Sequence, residues 1–169
     1  NLQAAGRPAA GVTTRDLEDT ARKATEIGKM AQQYGVVVCL HPHFATMVER
    51  ENELTYLMDN VAPELLSLTI DTAHTVLGGM EPVEIFKRYA PRVQYVHMKD
   101  ILPVTDPSKG WWSGFRELGR GIVNFPACID LLDKVGFTGI LCVELDRPRV
   151  SMYKSAAISR QYIREELGI

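Results

Sequence analysis

Four short apolar segments each run into a histidine or a carboxylate: Val36-Val37-Val38-Cys39-Leu40-His41, Leu66-Ser67-Leu68-Thr69-Ile70-Asp71, Val93-Gln94-Tyr95-Val96-His97 and Ile140-Leu141-Cys142-Val143-Glu144. Residues two apart on a strand share a face. Counted back from the ends, the shared faces carry Val37, Cys39 and His41; Ser67, Thr69 and Asp71; Val93, Tyr95 and His97; Ile140, Cys142 and Glu144. Two imidazoles and two carboxylates therefore finish four strands on one face. Such a nitrogen and oxygen donor set suits Mn²⁺, Co²⁺, Zn²⁺ or Fe²⁺ better than Ca²⁺. The expected cofactor is one divalent ion, held by Asp71, His97 and Glu144 and completed by His41 or by Glu49 from the following loop.

Other groups lie just past the strand ends, where a substrate would sit. His43, His74 and Lys99 follow by two or three residues, although Lys99-Asp100 also reads as a surface ion pair. Trp111 and Trp112 occupy the longest loop and suit a lid or a sugar-stacking surface as well as an interface patch. Arg120, between Gly119 and Gly121, is a candidate for meeting an anionic group, with a plain turn as the simpler reading.

The elements that must position these residues alternate along the chain. Thr14 can cap a helix over about 15–34, with Leu17, Ala21, Ala24, Ile27 and Ala31 as its apolar stripe. Further helices are expected over about 51–61, 82–89, 124–135 and 151–167. The second strand leads into Thr72-Ala73-His74, and Gly78-Gly79 read as a turn. The order is one helix and then strand–helix four times, which argues parallel βαβ units. No Gly-rich dinucleotide fingerprint follows any strand. Inward polar residues such as Ser67 and Thr69 suit a barrel lumen. The expected class is α/β, a (β/α)8 TIM barrel. A full barrel takes about 250 residues, so 1–169 reads as one partial barrel domain: a fragment of a longer chain, or half of an associated barrel. Its partner would be a missing N-terminal half or a second copy. Gln94 interrupts an otherwise apolar outer face.

The chain has 169 residues, is 46% hydrophobic and carries a net charge of −2. That is an ordinary composition for a globular domain, and without a basic block it argues against a nucleic-acid partner. No apolar run is long enough for a membrane span. Cys39, Cys128 and Cys142 are an odd, buried-looking set, which favours free thiols and a cytoplasmic location.

At these residues the sequence resembles the xylose isomerase-like barrel superfamily, in its sugar phosphate isomerase/epimerase branch. The resemblance rests on His41-Pro42-His43 with Thr46 and Glu49, Asp71-Thr72-Ala73-His74 with Gly78-Gly79, Tyr95-Val96-His97-Met98-Lys99-Asp100, Leu118-Gly119-Arg120-Gly121 with Asn124-Phe125, and Val143-Glu144-Leu145-Asp146. It implies the C-terminal half of the barrel, strands five to eight. It also implies a divalent metal, most often Mn²⁺, with Mg²⁺ among the alternatives. The ketose epimerases of the family place a Glu where this chain has His41. An inosose dehydratase-like branch places a His there.

The chemistry so implied is metal-dependent isomerisation or epimerisation of a carbohydrate through an enediolate, with Glu144 and either Glu49 or His43 moving protons. Loss of a leaving group instead would give a lyase acting on an inosose or a 3-keto-glycoside. Two readings compete. A three-metal endonuclease needs more ligands than the chain's four histidines supply. A non-catalytic half-barrel assembly subunit would hold no stoichiometric ion.

Overall fold

The computed structural model describes residues 1–169, the side chain of Pro107 excepted. Strands β1 (Cys39–Leu40), β2 (Ser67–Asp71), β3 (Val93–Met98) and β6 (Ile140–Val143) form one parallel sheet in the order β1-β2-β3-β6. A second, antiparallel pair, β4 (Asp100–Ile101) with β5 (Phe115–Arg116), lies in the long segment after β3. Helices α1 (Thr14–Gln32), α2 (Glu51–Asn60), α3 (Thr72–Leu77), α4 (Pro82–Tyr89), α5 (Phe125–Lys134) and α6 (Met152–Tyr162) alternate with the sheet strands.

One apolar face of the sheet makes the core. Leu40, Leu68, Ile70, Val96 and Met98 are buried in a single cluster with Leu54, Leu57, Ile85, Phe86, Phe125 and Leu132. Because strand residues alternate, this cluster turns the partners at odd positions to the opposite face. Helix starts follow their side-chain caps: Thr13 for α1, Glu81 for α4, Asn124 for α5 and Ser151 for α6.

Several expected boundaries move. The cap of α1 is Thr13, not Thr14, because Asp16 three residues on closes a reciprocal pair with it. The first strand is regular only over two residues, and Val36 and Val37 before it are exposed. Its outer edge takes a parallel bridge from Leu2, whose N–H donates to the Cys39 carbonyl at 2.7 Å. Between β2 and the expected turn at Gly78-Gly79 lies a helix not expected from the sequence, α3, started by the Asp71 carboxylate accepting from the His74 N–H at 2.9 Å. The last helix ends at Tyr162 and continues as a wider π turn over Ile163–Leu167.

Gln94 also finds its explanation. Leu68 pairs with Val93, and Thr69 pairs with Tyr95, so β3 carries one extra residue there. This bulge leaves Gln94 exposed and turns Val93 into the helix-side core. Val93 therefore does not share a face with Tyr95 and His97, as plain alternation would have it.

Candidate metal centre

Four parallel strand ends lie side by side, and the register fixes what they bring together. Asp71 pairs with His97, and His97 pairs with Cys142, two residues before Glu144. One ligand atom each from His41, Asp71 and His97 lies within 4.8 Å of the other two. Asp71 Oδ2 is 3.8 Å from His41 Nε2 and 3.5 Å from His97 Nδ1. Donors bound to one ion at 2.0–2.2 Å stand roughly 3–4 Å from each other. Glu144 Oε2 lies beside this trio, 2.6 Å from the same His97 nitrogen.

The hydrogen bonding of these atoms points the same way. Buried polar atoms nearly always have a partner. Among the described residues, His41 Nε2, Asp71 Oδ2 and His74 Nδ1 are buried without one, while His97 Nδ1 meets only the carboxylates of Glu144 and Asp71. Three of these four atoms converge on one point between two imidazoles and a carboxylate. The donor set therefore fits a divalent cation. Asp71 serves twice: Oδ2 faces the centre while Oδ1 starts α3.

Charge is arranged accordingly. Burial would raise the Asp71 carboxyl, but His41, His97 and the Lys99 ammonium hold it far below the usual carboxylate range. Burial would lower His97, yet Asp71 and Glu144 outweigh it and raise the imidazole to about 9. Contact with His97 and Lys99 lowers Glu144 to about 2. With no ion bound, His97 is protonated at neutral pH, and a metal must displace that proton. Metal uptake at pH 7.5 is thus expected to release about one proton, with affinity rising about tenfold per pH unit and levelling off near pH 9. Calorimetry in two buffers of different ionisation enthalpy measures this; zero release would contradict it.

A second ring of aromatic groups covers the centre. The His43 and His74 rings lie 3.6 Å apart, tilted by 31°. His43 Nδ1 is 2.7 Å from the Phe44 carbonyl, which can only accept, so Nδ1 carries the hydrogen and Nε2 keeps a lone pair. Burial lowers both imidazoles, His74 to about 3. Trp111 packs over them, 5.5 Å from His74 and 6.1 Å from His43, with Phe44 and Phe115 beside it. Trp112 is exposed, and the Arg147 guanidinium lies 5.0 Å above its ring.

Two expected site residues, Glu49 and Lys99, sit differently. Glu49 is buried, but its carboxylate accepts from the Ala45 N–H at 2.9 Å and faces Arg7 and Arg50, so it is not part of the donor cluster. It steadies the loop that carries His43, where Ala45 takes a positive φ of 64°. Lys99 is no surface ion pair with Asp100. Its ammonium is buried against Glu144, Asp146 and Asp71, while Asp100 accepts from the N–H groups of Ile101, Gly121 and Val123. Arg120 is exposed, between Gly119 and Gly121, and makes no ion pair among the described residues.

Some participants escaped the sequence. Asp146 reaches Lys99, and Thr72 holds the Lys99 backbone through both its N–H and its carbonyl. The Asn1 side chain accepts from the Thr69 hydroxyl at 2.8 Å and lies 3.5 Å from His97 Nε2. Nothing in the spacing of these residues singles them out.

A parallel sheet with a divalent-cation donor set at its strand ends defines a TIM-barrel type of site. Residues 2–167 match the family described as Xylose isomerase-like TIM barrel, and the chain belongs to it. An inosose dehydratase of Bacillus anthracis (strain CDC 684 / NRRL 3495) is 32% identical, over 93% of this chain and 57% of the relative. The chain thus spans little more than half the length of such relatives. A D-tagatose 3-epimerase-like protein superposes with a TM-score of 0.76 at 17% identity, covering 99% of this chain and 61% of that one. The IOLI protein, solved with a zinc atom, superposes with a TM-score of 0.76 at 18% identity, covering 96% of this chain and 60% of that one.

Proposed function

We propose that this chain carries the metal centre of a divalent-metal-dependent lyase that dehydrates an inosose or a related keto-polyol. The observation that carries this reading is the convergence of buried donor atoms from His41, Asp71 and His97, of which His41 Nε2 and Asp71 Oδ2 have no hydrogen-bond partner. Inosose dehydratase as the name of relatives at 32% identity supports the choice of a lyase over an isomerase or epimerase. The imidazole at position 41 supports it too, because a histidine there removes one of the two glutamates of the epimerase scheme.

His41, Asp71, His97 and Glu144 would hold the ion. When bound, it supplies Lewis acidity that polarises a carbonyl and acidifies the neighbouring C–H. The remaining work falls to the chain's own groups. His43 Nε2 is fixed as a lone-pair carrier by the Phe44 carbonyl, and it takes the proton from the carbon. The C–H electron pair forms the new C=C bond as the β hydroxyl leaves. The same imidazolium returns its proton to that hydroxyl, which departs as water. Trp111 and Phe115 over the imidazoles exclude bulk water from this exchange.

Incubation with inososes, ketoses and 3-keto-glycosides in deuterated water tests the proposal. Dehydration and deuterium uptake α to the carbonyl are expected with an inosose. His43→Ala should lower the rate by about 10²–10⁴-fold while metal content stays stoichiometric. Cleavage of abasic DNA with no exchange on any of these compounds would refute it.

A further inference from the structure

Lys99 is the most deeply buried cation in the molecule, with 1% of its side chain exposed. Its ammonium lies 2.9 Å from Glu144 Oε1, 2.7 Å from Asp146 Oδ2 and 3.7 Å from Asp71 Oδ2. The Phe115 ring sits 4.5 Å away on another side. Its own backbone is pinned on both sides by the Thr72 hydroxyl. A lysine so enclosed does not reach out to a substrate. It grips one oxygen of a carboxylate whose other oxygen faces His97 Nδ1.

We infer that Lys99, anchored by Asp146, is a positioning residue that holds Glu144 Oε1 and so presents Glu144 to the ion through Oε2 alone. The inference rests on the metal centre proposed above and deepens it. Glu144 is 31% exposed and, without Lys99, would be free to turn both oxygens toward an ion. With Oε1 held by the ammonium, Oε2 is the oxygen that would meet the ion.

The test uses Co²⁺ as both probe and metal, read by visible absorption. A fixed single-oxygen Glu144 keeps the coordination number low and the bands intense. In Lys99→Met, Glu144 is expected to engage through both oxygens, so the Co²⁺ bands should weaken several-fold. Lys99→Arg should restore them, because a guanidinium can hold the same oxygen. Asp146→Asn, at a side chain 46% exposed, should fold normally and shift the spectrum the same way by a smaller amount. That variant decides the matter if Lys99→Met does not fold. An unchanged spectrum in Lys99→Met or Asp146→Asn, with only a raised KM, would overturn the inference and make Lys99 a substrate-binding residue. Absence of any Co²⁺ uptake by the unaltered protein would instead overturn the metal centre itself.

Discussion

Asp71→Asn should lose its metal and all activity while keeping its helices. Asp71 Oδ2 is the shared neighbour of His41, His74, His97 and Lys99, and no hydrogen-bond donor meets it. An amide there presents either a weak neutral oxygen or an NH₂ group to the ion. Losing a charged ligand should weaken binding by more than the roughly 10–100-fold that outer-shell changes produce. Asparagine is the informative replacement because it retains the oxygen that accepts from the His74 N–H and starts α3. Alanine would also remove that cap, at about 1 kcal/mol. Elemental analysis after dialysis, beside far-ultraviolet circular dichroism, separates the two effects. Full metal retention in Asp71→Asn would show that the centre has been misassigned.

Residues 1–169 prepared alone should self-associate and not behave as a monomer. β6 closes one side of the sheet with no strand beyond it. Ile140 and Val143 on that strand are 56% and 38% exposed, and Val36 and Val37 before β1 are 56% and 63% exposed. An unpaired edge with apolar side chains recruits another strand. Each such side chain forfeits about 1.5–3 kcal/mol when left in water, against a typical domain stability of about 5–15 kcal/mol. Leu2 already pairs along β1, so β6 is the edge on which association is expected. Light scattering at micromolar concentration measures it. A monodisperse monomer with a cooperative melt would contradict the argument.

The parity of strand ends was enough to bring His41, Asp71 and His97 to one face, because alternation is a local rule that holds in β2 from Ser67 to Asp71 and in β3 from Tyr95 to His97. It failed at Val93, where β3 carries the Gln94 bulge; a bulge depends on the neighbouring strand, and the exposed polar residue was its only trace. It also missed α3, since Asp71 reads as the end of a strand and gives no sign of capping a helix as well. Lys99 beside Asp100 looked like a surface pair. Its actual partners, Glu144 and Asp146, are more than forty residues further on and reach it only through the β3–β6 pairing. Glu49 was legible as an acid near the strand ends, but its direction is set by the Ala45 amide and Arg7, which come from loop closure.

The single extra residue at Gln94 sets the phase of everything after it in β3. Had the same residues run in plain alternation from a buried Val93, with no bulge, His97 would fall on the helix side of the sheet and Met98 on the site side. Gaps placed between positions 93 and 97 when related chains are compared therefore carry chemical meaning: a relative one residue shorter there would bring its imidazole to the same face by plain alternation, with no bulge. The same holds for anyone transplanting this strand into another barrel. The sequence Val-Gln-Tyr-Val-His delivers its histidine to the lumen only beside a neighbour that tolerates the offset, as Leu68 and Thr69 do here.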